Sequence, residues 1–90
     1  MRSRTTPEQA ETLAVNALGY LARSSKGLER LMDLSGLDAA AIRQRAGERD
    51  FLVAVLDFLM ANEELLVDFC HDTQTEPRAV QIASRTLGET

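Results

Sequence analysis

The chain has 90 residues, a hydrophobic fraction of 44% and only four aromatic rings, Tyr20, Phe51, Phe58 and Phe69. That is enough apolar material for one small domain with an aliphatic core, and too much for a disordered segment. Ten basic and fourteen acidic residues leave a net charge of −4, divided as +1 over residues 1–50 and −5 over residues 51–90; nucleic-acid binding through clustered Lys and Arg is therefore excluded for the second half and weakly supported for the first.

The first helix starts at Thr6-Pro7-Glu8-Gln9. Thr6 can cap, Pro7 suits the first helical position, and Gln9 falls where a capping box wants an amide or acid. Leu13, Ala14, Ala17, Leu18 and Leu21 then recur at helical spacing, and the helix fades near Arg23-Ser24-Ser25. A second helix is expected from Lys26 to Ser35, with Leu28, Leu31, Met32 and Leu34 as its apolar side. Gly36 stands where a left-handed stop is needed, and Leu37 is placed to fold back on Met32 as in a Schellman motif. Asp38 caps a short third helix, Ala39 to Ala46, closed by Gly47; Ile42 is its one large apolar residue, and Arg43 and Arg45 must face outward.

Glu48 or Asp50 opens the fourth helix. Leu52, Val55, Leu56 and Leu59 repeat at i, i+3, i+4 and i+7, with Phe51 and Phe58 widening that face on one side and Val53 and Met60 on the other, so this is the central helix. Asn62-Glu63-Glu64 reads as a new start, a capping residue followed by two acids, and a break or kink is expected there, the alternative being one continuous helix because no Gly or Pro intervenes. Leu65, Leu66 and Phe69 face the core of the fifth segment; Asp72 to Thr75 is a polar connection. Glu76-Pro77 begins the last helix, with Val80, Ala83 and Leu87 inside and Gly88 closing it. No segment alternates with period two, so no β-sheet is expected. A shift of 38 residues superposes Leu28 on Leu66, Leu31 on Phe69 and Ile42 on Val80, as two αα-hairpins obeying one packing rule would, the alternative being an old duplication.

The chemistry-bearing residues are few. Cys70 is the single cysteine, which excludes an internal disulfide, and its neighbour His71 is the only histidine. Adjacent residues on a helix diverge by about 100°, so the two cannot work readily as nucleophile and base, and a structural zinc would need more ligands. No glycine belongs to a phosphate-binding loop. No catalytic residue, cofactor site or metal site is therefore expected. The N-terminus has no apolar run after its arginines and no segment reaches the length of a membrane span, which points to a cytoplasmic protein with no membrane partner.

Two surfaces remain. Opposite the apolar face of the fourth helix lie Ala54, Asp57 and Ala61. They form either a solvated strip or a small-residue stripe that lets another helix approach, with Asp57 pairing to an arginine such as Arg43, Arg45 or Arg49. Those three arginines follow a glycine turn in the manner of a helix-turn-helix, but the charge balance works against DNA.

The strings Leu34 to Asp38, Ile42 to Ala46, Phe51 to Leu59 and Glu63 to Leu66, with a looser match over Pro7 to Ala14, resemble the small helical alphaproteobacterial proteins grouped as domain-of-unknown-function family 3572. Val55-Leu56-Asp57-Phe58-Leu59 is the most specific piece, and Gln74-Thr75 departs from the Gly-Leu turn the family pattern leads one to expect. The resemblance implies a helical protein and supplies no active site. The expected architecture is an all-α compact bundle of five or six short helices forming a single domain over residues 1–90, with residues 1–5 disordered. The expected function is a non-enzymatic protein-interaction or regulatory domain whose partner is another protein or a second copy of itself. The alternative is a weak nucleic-acid binder using Arg43, Arg45 and Arg49.

Overall fold

A computed structural model describes residues 5–89. They form six α-helices: α1 (Pro7–Arg23), α2 (Ser25–Ser35), α3 (Ala39–Gln44), α4 (Arg49–Ala61), α5 (Glu63–Thr73) and α6 (Pro77–Gly88). No strand occurs among the described residues. Of the expected N-terminal disorder, residues 1–4 lie outside the described residues.

Local chemistry sets most of the boundaries. Thr6 and Gln9 form the full capping box: the Gln9 amide N–H donates to Thr6 Oγ1 at 3.1 Å, and the Thr6 N–H donates to Gln9 Oε1 at 3.0 Å. Ser24 ends α1 and caps α2 through its side chain, and Asp38 Oδ1 accepts from the Ala41 N–H at 2.8 Å to start α3. α3 is shorter than expected, stopping at Gln44, and residues 45–47 form a turn.

Two helix stops differ from expectation in kind. Gly36 is left-handed (φ 74°), but its motif is the simpler one: its N–H reaches Met32 O at 2.8 Å, while the Leu37 N–H turns to Ser35 Oγ instead of back into the helix. The Schellman pattern occurs at the end of α5, where Gln74 is left-handed (φ 57°) and the Thr75 N–H spans back to Cys70 O at 2.9 Å. The break at Asn62 is present, but Asn62 does not cap α5. Its side-chain amide donates back to Phe58 O at 2.8 Å and closes α4, leaving the acids Glu63 and Glu64 to favour the start of α5 through its dipole.

The core is a three-helix unit. α1, α4 and α6 pack on one another, and the remaining helices attach to them. Ala10, Ala14 and Ala17 on α1 and Ala83 on α6 are fully buried, and these small side chains let the helices approach closely. Leu52, Val55, Leu56 and Leu59 of α4 fill the space between, joined by Leu21, Phe69, Val80 and Leu87. Each such aliphatic side chain contributes about 1.5–3 kcal/mol by leaving water. Gly27 is a close-approach glycine: a methyl group on it would meet Leu21 Cδ2 at 2.9 Å.

α2 lies on α1 and touches α3, and it makes no comparable packing with α4. One expectation fails there: Leu34, assigned to the apolar side of α2, is 72% exposed.

Candidate functional site

The space that α2 leaves beside α4 is a groove of about 320 Å³. Leu31, Phe51, Val55 and Phe58 supply buried apolar surface to its wall, and Leu34 stands exposed on its edge. α4 presents this wall because Phe51 and Phe58 lie two turns apart on one side of its apolar face. Leu37 is brought to the groove by the Gly36 turn. The rim carries one charge of each sign, Arg45 and Asp50. Arg45 is held by two contacts: its Nε donates to Glu48 Oε1 at 3.0 Å, and its guanidinium lies 5.6 Å from the Phe51 ring centroid. This explains why Glu48, at the N-cap of α4, makes no capping bond. Sequence reasoning put Leu34 inside. A helical wheel, at about 100° per residue, sets it about 120° from Leu28, at the far margin of the apolar arc, where the sequence already hints at a weakly covered position.

The stripe Ala54, Asp57 and Ala61 is exposed on α4. Ala54 borders the groove. Asp57 is engaged, though not by an arginine: Ser84 Oγ of α6 donates to Asp57 Oδ1 at 2.7 Å. The serine was invisible to the sequence argument because it lies 27 residues away on a helix whose crossing angle no local pattern specifies.

Arg43 and Arg45 do not share one groove. Arg45 lines the α2–α4 groove, whereas Arg43 lines a second apolar groove of about 280 Å³ between α1 and α3, beside Val15, Leu18 and Ile42. Arg49 is exposed in the first turn of α4. α3 has six residues, short for a helix that must lie in a major groove.

Cys70 is buried and its thiol is pushed up from its ordinary pKa by burial, so it stays protonated and unreactive at neutral pH. His71 is exposed. It helps line an open cleft at the ends of α1 and α5 together with Tyr20, Arg23, Asp68 and Asp72. Burial first, then the nearby charges of Asp68 and Asp72, raises the pKa of Tyr20, whose ring packs edge-on against Phe69 at 5.6 Å. Among the described residues, no three His, Cys, Asp or Glu side chains are grouped to hold a metal ion. No helix among them is long and apolar enough to cross a membrane.

A family model described as "Protein of unknown function (DUF3572)" matches residues 7–90. No curated protein and no solved structure matches the chain.

Proposed function

We propose that this chain, which belongs to the DUF3572 family of proteins of unknown function, is a non-enzymatic, cytoplasmic protein-interaction or regulatory domain that engages its partner through the groove between α2 and α4. One observation supports the reading above the others. α4, the most apolar helix, is covered by α1 and α6 on one side, while toward α2 its phenylalanines line an open groove with an exposed leucine at the edge. Singly exposed apolar residues such as Val67 are ordinary on a soluble surface, whereas an apolar cleft edged by an exposed Leu and rimmed by charge is the shape that a partner's apolar side chain fills. Among the described residues, no nucleophile–base pair and no buried, charge-partnered carboxylate occurs, which supports the non-enzymatic part. The nucleic-acid alternative would need Arg43, Arg45 and Arg49 to act together, and the separation of Arg43 and Arg45 onto different grooves lends it no support.

The test is photo-cross-linking in living cells, with a benzophenone amino acid at Ala54 in the groove and, as a control, at Gln81 on the exposed surface of α6. A discrete protein adduct from position 54 and none from position 81 is the expected result. An absence of adducts from position 54, or equal adducts from both, overturns the proposal.

A further inference from the structure

We propose that the occupant of the α2–α4 groove is a second copy of this chain, docked about a two-fold axis so that Leu34 of each copy enters the groove of the other; the inference rests on the interaction reading above and names its partner. A two-fold interface uses the same patch on both sides, so the patch must hold both a projection and the hollow that receives it. This patch does: Leu34 projects at 72% exposure directly beside a groove walled by Phe51, Val55 and Phe58. Its charges are self-complementary in the same sense. Arg45 and Asp50 both stand on the rim, and a two-fold axis passing between them sets the Arg45 of one copy against the Asp50 of the other. Arg45 uses Nε internally on Glu48 and is steadied over Phe51, which leaves the outer nitrogens of its guanidinium available to such a carboxylate. A rim that carries both signs can complement a second copy of itself, which a rim of one sign cannot. The chain as a whole carries −4 and repels its own kind, so self-association needs a locally balanced patch, and here it has one. The exposed Ala54 between the rim and the Asp57 side of α4 puts no large side chain in the way of the approaching helix.

The experiment is sedimentation of the intact protein up to about 0.5 mM, a concentration that reveals even weak dimers. A reversible monomer–dimer equilibrium is expected. Leu34→Glu, at a position too exposed to matter for folding, is expected to raise the dimer dissociation constant at least about ten-fold with an unchanged circular dichroism spectrum. Arg45→Asp and Asp50→Arg are each expected to weaken the dimer by setting like charges against one another, and the double variant R45D/D50R to recover it to within about three-fold. A monomer at every concentration, or a dimer indifferent to Leu34→Glu, overturns the proposal; failure of the double swap to recover affinity overturns the two-fold register. A monomeric chain that still cross-links through position 54 to a different protein overturns the second copy as occupant and leaves the interaction reading standing. A monomer with no adduct ends both.

Discussion

Gln74 carries the one left-handed non-glycine conformation among the described residues, at φ 57° and ψ 40°. A side chain there crowds the backbone, and glycine does not. The position coincides with the departure from the Gly-Leu turn noted in the sequence. The turn survives without glycine because the Thr75 N–H still closes on Cys70 O, Thr73 Oγ1 bonds Phe69 O at 2.7 Å, and the Gln74 side chain reaches His71 O at 3.2 Å. Gln74→Gly should relieve the conformational cost while giving up only one exposed hydrogen bond. The expected gain is about 0.5–1 kcal/mol, or a rise of about 2–8 °C in melting temperature by calorimetry. An unchanged or lowered melting temperature would mean that the glutamine's own hydrogen bond outweighs the backbone strain.

Between elements, the polar ties are few and on the surface. Lys26 and Glu64 join α2 to α5 at 3.4 Å, but both side chains are well exposed, and pairs of that kind contribute little. Asp57 and Ser84 are a better tie: a short, charge-assisted bond between α4 and α6, the two helices whose packing carries much of the core. A double-mutant cycle with Asp57→Ala and Ser84→Ala should therefore return a coupling of about 0.5–1.5 kcal/mol in urea unfolding. Strictly additive losses would show that water replaces the bond at no net change. The same contact narrows the use of Asp57 in any interaction surface, since a partner competing for this carboxylate must first displace the Ser84 hydroxyl.

At the scale of the molecule, stability is unevenly distributed. α1, α4 and α6 hold most of the fully buried side chains, while α3 buries only Ile42 and touches chiefly α2. Local opening follows the density of buried contacts. Native-state hydrogen exchange should find the slowest amides in α1, α4 and α6, exchanging together near the global unfolding free energy, and the fastest helical amides in α3. Equal protection in α3 would contradict the three-helix core. An α2–α3 segment that opens easily also leaves the groove against α4 free to adjust to whatever enters it.

The sequence by itself determined the class, the number of helices to within one and most of their boundaries. Caps such as Thr6, Ser24 and Asp38 act within four residues, Pro7 and Pro77 restrict their own backbone, and a 3.6-residue apolar period is a property of the chain alone. The recurring strings from Leu34 to Leu66 were equally legible, and they carried the family resemblance. Where two local solutions have nearly the same energy, the sequence reading chose the wrong one. It pointed to Gly36 for the Schellman form, which the structure has at Gln74, and to Asn62 as the cap of the helix ahead, whereas Asn62 serves the helix behind it. What only the tertiary structure decided is how the helices cross: that Ser84 meets Asp57, that Arg43 and Arg45 part onto separate grooves, and that α2 stands off α4 with Leu34 exposed. The physical reason is the range of the forces. Backbone hydrogen bonds and side-chain sterics act between near neighbours in the chain, whereas the exposure of a leucine at the margin of an apolar arc depends on packing between segments far apart in it.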